Sequence, residues 1–73
     1  MSLPVISRIN LIKKLKKAGF VATRQKDSHI RLEKSTKDTI IKLTVPLHRE
    51  LKKGTLKRII KDAGLTVEEF NNL

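Results

Sequence analysis

The stretch Arg24-Gln25-Lys26-Asp27-Ser28-His29-Ile30-Arg31-Leu32 sets one imidazole among the cations Arg24, Lys26 and Arg31. Histidine titrates nearest neutral pH and can give or take a proton. RNA carries its own nucleophile, the 2′-hydroxyl. Cleaving it needs a base for that proton, an acid for the leaving 5′-oxygen, and positive charge on the phosphate. His29 is suited to a proton-transfer role, typically worth about 10²- to 10⁴-fold. Ser28 and the three cations are suited to hold or polarise the phosphate. The plainer reading is a polar side chain on the open face of a sheet.

Two further places have chemical potential. His48 stands two residues beyond Pro46, where it serves either a phosphate surface or merely a loop carbonyl. Lys52-Lys53-Gly54-Thr55 opens a helix. Backbone N–H groups point outward there at the positive end of the helix dipole, and two lysines flank them, which suits a phosphate. The competing reading is a lysine-rich loop. One glycine before a threonine cannot cradle a triphosphate, so this is not a nucleotide loop. No GxSxG, HExxH or paired-carboxylate arrangement occurs.

Helix and strand periods place these residues. Ser7 suits the N-cap of a helix over Arg8 to Lys17. Ile9, Leu11, Ile12, Leu15 and Ala18 form one apolar arc on it, and Lys13, Lys14 and Lys17 form a solvated back. Gly19 suits the left-handed residue that ends a helix. Phe20 to Lys26 reads as a strand with Phe20, Ala22 and Arg24 on one side and Val21, Thr23 and Gln25 on the other. Asp27-Ser28 is turn chemistry. His29 to Lys34 is a second strand, Ile30 and Leu32 inward and His29, Arg31 and Glu33 outward. A polar loop, Ser35 to Asp38, leads to a third strand over Thr39 to Val45, which Pro46 closes because proline cannot donate to a ladder. Leu47 to Lys53 reads as a loop. Gly54-Thr55 then enters a second helix reaching Ala63, with Leu56, Ile59, Ile60 and Ala63 inward and Lys57, Arg58 and Lys61 outward. Gly64 ends it. Thr66-x-x-Glu69 is a capping box for a last short helical turn, and Phe70 is placed to pack back on the core.

Two short connections favour an antiparallel meander. A half-buried sheet with helices on one face then satisfies every apolar stripe. The expected fold class is α+β, two-layer, with the order α-β-β-β-α and a short C-terminal helix.

The totals narrow the function. A chain of 73 residues is expected to form a single domain (1–73, core about 7–70). Such a chain buries only about 60% of its unfolded surface, leaving no room for a deep cavity. An active site should lie on the surface and take a partner with its own bulk. The absence of cysteine removes disulfides and thiolate zinc sites. Neither histidine has metal-ligand spacing, so no cofactor or metal is expected. No apolar run approaches the roughly 20 residues of a membrane span, and no signal-peptide pattern is visible, which makes the cytoplasm the expected compartment. Seventeen Lys and Arg face seven Asp and Glu, a formal charge of +10. That field attracts polyanions, nucleic acid first and anionic membrane second. The bland alternative is a highly soluble lysine-rich domain. With no Tyr or Trp and only Phe20 and Phe70, a reader that stacks splayed bases on exposed rings is poorly supported.

Five blocks in fixed order then carry a resemblance: Leu15-Lys-Lys-Ala-Gly-Phe20, Arg24-Gln-Lys-Asp-Ser-His29, Thr44-Val-Pro-Leu-His48, Leu51-Lys-Lys-Gly-Thr-Leu56 and Ala63-Gly64. From about Ser7 to Phe70 the chain resembles the HicA toxins. The resemblance implies a double-stranded-RNA-binding-domain-like fold. It also implies the toxin of a type II toxin–antitoxin module, a metal-independent endoribonuclease cleaving mRNA, and neutralisation by a HicB-type antitoxin. In that family the catalytic histidine follows a Gly-Ser pair and is often followed by a second histidine. The matching residue here is His29, preceded by Asp27-Ser28 and followed by Ile30, so the glycine and the second histidine are both absent. The rival expectations are a non-catalytic RNA-binding module of the same fold, anchored at Lys52-Lys53, and an inactive relative kept for partner binding.

Overall fold

The computed structural model describes residues 5–73. In chain order the elements are β1 (Ile6–Ser7), α1 (Arg8–Lys17), β2 (Val21–Lys26), β3 (His29–Ser35), β4 (Ile40–Pro46), β5 (Glu50–Leu51), α2 (Lys53–Asp62) and α3 (Val67–Asn71). The fold is α+β, with a three-stranded antiparallel sheet in the order β2-β3-β4. Helices cover one face of that sheet. From it Leu32, Leu43 and Val45 meet Leu11 and Leu15 of α1 and Leu56, Ile59 and Ile60 of α2 in one buried cluster. Burying each such aliphatic side chain is worth roughly 1.5–3 kcal/mol. The opposite face of the sheet is open.

Local chemistry sets most boundaries. Ser7 accepts from the Asn10 backbone N–H at 3.2 Å and starts α1. Gly19 and Gly64 follow α1 and α2 at φ of 106° and 75°, conformations that cost a residue with a Cβ. Thr66 and Glu69 form the expected capping box, with bonds of 3.0 and 2.9 Å, and Phe70 is buried.

Tertiary packing overrides the local pattern in several places. Ile9, expected in the apolar arc of α1, is 58% exposed, because Leu11 and Leu15 are the residues aimed at the core. Lys14, expected on the solvated back, is half-buried. Its Nζ donates to the carbonyls of Phe70 (3.2 Å) and Leu73 (3.4 Å) and lies 5.0 Å from the Phe70 ring centre. The helix-wheel position is thus taken over by α3, which docks against it. The third strand runs one residue later than expected, so Pro46 is its last paired residue rather than its stop. The expected loop from Leu47 to Lys53 holds β5, which pairs antiparallel with β1 through Ile6–Leu51 and Ser7–Glu50. That pairing buries Leu51 and ties the entry of α1 to the entry of α2. Two-residue strands are too short to show a period.

The first long strand begins at Val21, one residue after Phe20, and contains a bulge. Ala22 lies opposite Leu32 and Arg24 opposite Arg31, so Thr23 is an extra residue. A bulge shifts the alternation by one. Arg24 and Lys26 therefore leave the side of Phe20 and Ala22, where simple alternation put them, and join the face of Arg31 and His29.

Candidate nucleic-acid interface and active site

The open face is organised in rows across the three strands. Lys26, His29 and Pro46 form the row next to the β2–β3 turn; Arg24, Arg31 and Thr44 form the next; Val21, Glu33 and Lys42 form the third. Directly opposed side chains in an antiparallel pair have Cβ atoms about 4.5–5.5 Å apart. The bulge at Thr23 thus gathers three cations and one imidazole onto one end of one face. Lys26, His29, Arg24 and Arg31 are all exposed. Thr23 closes the far side by donating its hydroxyl to Glu33 at 3.3 Å.

The turn holds His29 at the edge. Asp27 takes a φ of 54°, the conformation that glycine adopts most readily. That is the position where the glycine of the resemblance would stand. The Ser28 hydroxyl lies 3.4 Å from His29 Nδ1, so hydroxyl and ring share a hydrogen bond whose direction follows the tautomer. The Ser28 carbonyl accepts from the Leu47 backbone N–H at 2.7 Å. This bond carries the loop after β4, with exposed His48 next to it, to the same end of the sheet as His29. The two histidines are 19 positions apart in sequence and share one end of the fold.

The Lys52 group lies elsewhere on the chain, at the start of α2. Helix α2 starts at Lys53, earlier than expected, with Lys52 as its N-cap and Gly54-Thr55 inside the first turn. Lys52 makes no side-chain cap bond, and the first turn holds no acidic residue. The first intrahelical bond is donated by Leu56 to the Lys52 carbonyl at 2.9 Å. The earlier amides therefore point outward, with Lys52 and Lys53 exposed beside them.

Among the described residues no three His, Asp or Glu side chains converge as a metal site would require, and no helix is long and apolar enough to cross a membrane. Sequence periodicity missed the gathering of Arg24 and Lys26 with His29, since it depends on the bulge. It also missed the Leu47–Ser28 bond, which joins two connections distant in sequence. The one local hint was Arg24, a charged residue on the side that Phe20 and Ala22 share, where an inward strand residue would be apolar.

No curated protein matches the chain. A family model does match, that of the HicA toxin of bacterial toxin–antitoxin systems, over residues 10–65. The match runs from α1 through the sheet and α2, and it includes the hairpin with His29, the His48 loop and the Lys52 helix start. With most of the chain covered, and with the helix–sheet–helix order and basic face described above, the protein belongs to the HicA toxin family.

Proposed function

We propose that this toxin is an endoribonuclease that cleaves mRNA without a metal ion, with His29 as its proton-transfer group. The observation that carries the reading is the exposed His29 in register with Lys26, one row from Arg24 and Arg31, on an open face. RNA brings the nucleophile, so the protein needs to supply proton transfer and charge. As base, His29 takes the 2′-hydroxyl proton through Nε2 while Nδ1–H donates to Ser28 Oγ. As acid, the imidazolium carries both ring protons: Nδ1–H still donates to Ser28 Oγ, and the Nε2 proton passes to the leaving 5′-oxygen. Attack of O2′ on phosphorus breaks the P–O5′ bond and leaves a 2′,3′-cyclic phosphate and a 5′-hydroxyl. Arg24, Lys26, Ser28 and Arg31 hold the phosphate; His48, Lys52, Lys53 and the amides of Gly54 and Thr55 grip flanking backbone. With both phenylalanines buried, base stacking contributes little and cleavage is weakly selective for sequence. A HicB-type antitoxin in the same cytoplasm covers His29 and neutralises the basic face.

The test is cleavage of RNA in EDTA by the wild type and by His29→Ala, with folding and RNA binding checked in both. Loss of new ends by about 10²-fold or more in the variant, with binding kept, is expected. Full activity in the variant sinks the assignment. A second reading, RNA binding without cleavage, has one observation in its favour: Asp27 puts a carboxylate beside the phosphate-binding end of the hairpin. It predicts RNA binding with no new ends in the wild type.

A further inference from the structure

On the helix-covered side of the same sheet end, α1 and the sheet enclose a groove of about 380 Å³. Its floor is aliphatic: Ile9 and Ile12 of α1, Ile30 of β3, and Leu47 after β4. Its rim is basic: Arg8, Lys13 and Lys16. Arg8 is partly engaged, since its Nη1 donates to the Leu47 carbonyl at 3.2 Å. Lys13 and Lys16 are exposed, and among the described residues no carboxylate lines the groove. Ile9 is the residue that the helix period sends toward the core and that the fold leaves 58% exposed, directly on this floor.

We propose that this groove docks a protein segment that carries an aliphatic ridge flanked by carboxylates. The inference goes beyond RNA cleavage and does not depend on it. Charge and polarity together select the occupant. The rim calls for an anion, and the floor calls for aliphatic side chains. RNA meets the first demand and fails the second: its phosphates would sit over Ile9, Ile12 and Ile30, with no aromatic ring there to stack a base. A second copy of this chain brings its own charge of +10, which opposes association. From Ile9 to Lys16 the α1 wall rises only about 10 Å, the length of two helical turns. A short acidic amphipathic segment spans it.

The experiment uses two fluorescent peptides of equal negative charge, one with leucines at helical spacing and one with serines in their place. Each is titrated by anisotropy into the full chain and into Ile9→Asp, Ile9→Ser, Lys13→Glu/Lys16→Glu and Lys57→Glu/Lys61→Glu. The last pair lies on the exposed face of α2 and makes the same charge change away from the groove. The leucine peptide is expected to bind about tenfold more tightly than the serine peptide. Ile9→Asp and Lys13→Glu/Lys16→Glu should each remove about tenfold, Ile9→Ser somewhat less, and the α2 pair little. Equal binding of both peptides, or an equal loss from the α2 pair, overturns the proposal in favour of general attraction to a basic protein. It is also overturned if Ile9→Asp weakens an RNA oligonucleotide while leaving the peptide unaffected, or if it abolishes a dimer seen by sedimentation.

Discussion

Arg24 and Arg31 lie directly opposite each other in the β2–β3 pair, brought into that register by the extra residue at Thr23. Like charges in this position repel, typically by a few tenths of a kcal/mol up to about 1. A protein that keeps them there gives up stability for a concentrated positive face. Arg24→Thr is therefore expected to raise stability in a urea melt by up to about 1 kcal/mol. The same change should weaken RNA binding and reduce the slope of log K against log salt by about 0.7 for a lost single-strand phosphate contact. An Arg24→Thr protein that is less stable and binds RNA with an unchanged salt slope would remove Arg24 from the interface.

Asp27 sits at φ 54° two residues before His29. Replacing it by glycine relieves a backbone strain of roughly 1 kcal/mol, and the added unfolded-state entropy offsets about 0.4–1 kcal/mol of that. Stability of Asp27→Gly should thus stay near that of the wild type, while RNA binds more tightly because a carboxylate is gone. Asp27→Ala removes the same charge without easing the backbone and should be the less stable of the two. An Asp27→Gly protein less stable than Asp27→Ala, by the roughly 0.4–1 kcal/mol of unfolded-state entropy alone, would show that the turn carries no strain.

Lys14 joins α1 to the chain end through the Phe70 and Leu73 carbonyls and the Phe70 ring. Hydrogen bonds from a charged donor contribute roughly 1.5–3 kcal/mol in favourable settings. Lys14→Ala should loosen α3 before the sheet. Hydrogen exchange would then speed up at 68–73 while the amides of β3 keep their protection. Uniform acceleration across the chain would mean that α3 and the sheet open as one unit.

The Thr66–Glu69 box gives a pH signature. The Thr66 backbone N–H, and then its side chain, hold the Glu69 carboxyl below the usual carboxylate range. A group whose folded pKa is lowered contributes stability above its unfolded pKa and loses it as pH falls through the folded value. The start of α3 should fray on acidification below the ordinary glutamate range, and Glu69→Gln should remove that step. Thr66→Ala should cost about 1 kcal/mol near neutral pH, as losses of side-chain caps do. Chemical shifts of residues 66–70 across an acid titration provide the check.

By itself the sequence determined the parts that depend on near neighbours. Leu11 and Leu15, Ile30 and Leu32, and Leu56, Ile59 and Ile60 recur at helical or strand spacing, so their elements and inward faces were legible. So were Ser7, Thr66, Gly19 and Gly64, whose roles at helix ends follow from their own side chains or from lacking one. His29 stood out because imidazole amid cations is chemically unusual anywhere. The composition of the candidate face was another matter. Arg24 and Lys26 reach His29's side only because Thr23 is surplus when β2 pairs with β3, and surplus is a property of two strands rather than one. Lys14 is claimed by a helix some 50 residues later, and Ile9 is left out because the sheet and α2 fill the core without it. His48 is brought to the hairpin by a backbone bond from Leu47 to Ser28. Only the tertiary structure decided these, because each rests on contacts between segments far apart in the chain, and local periodicity is silent about them.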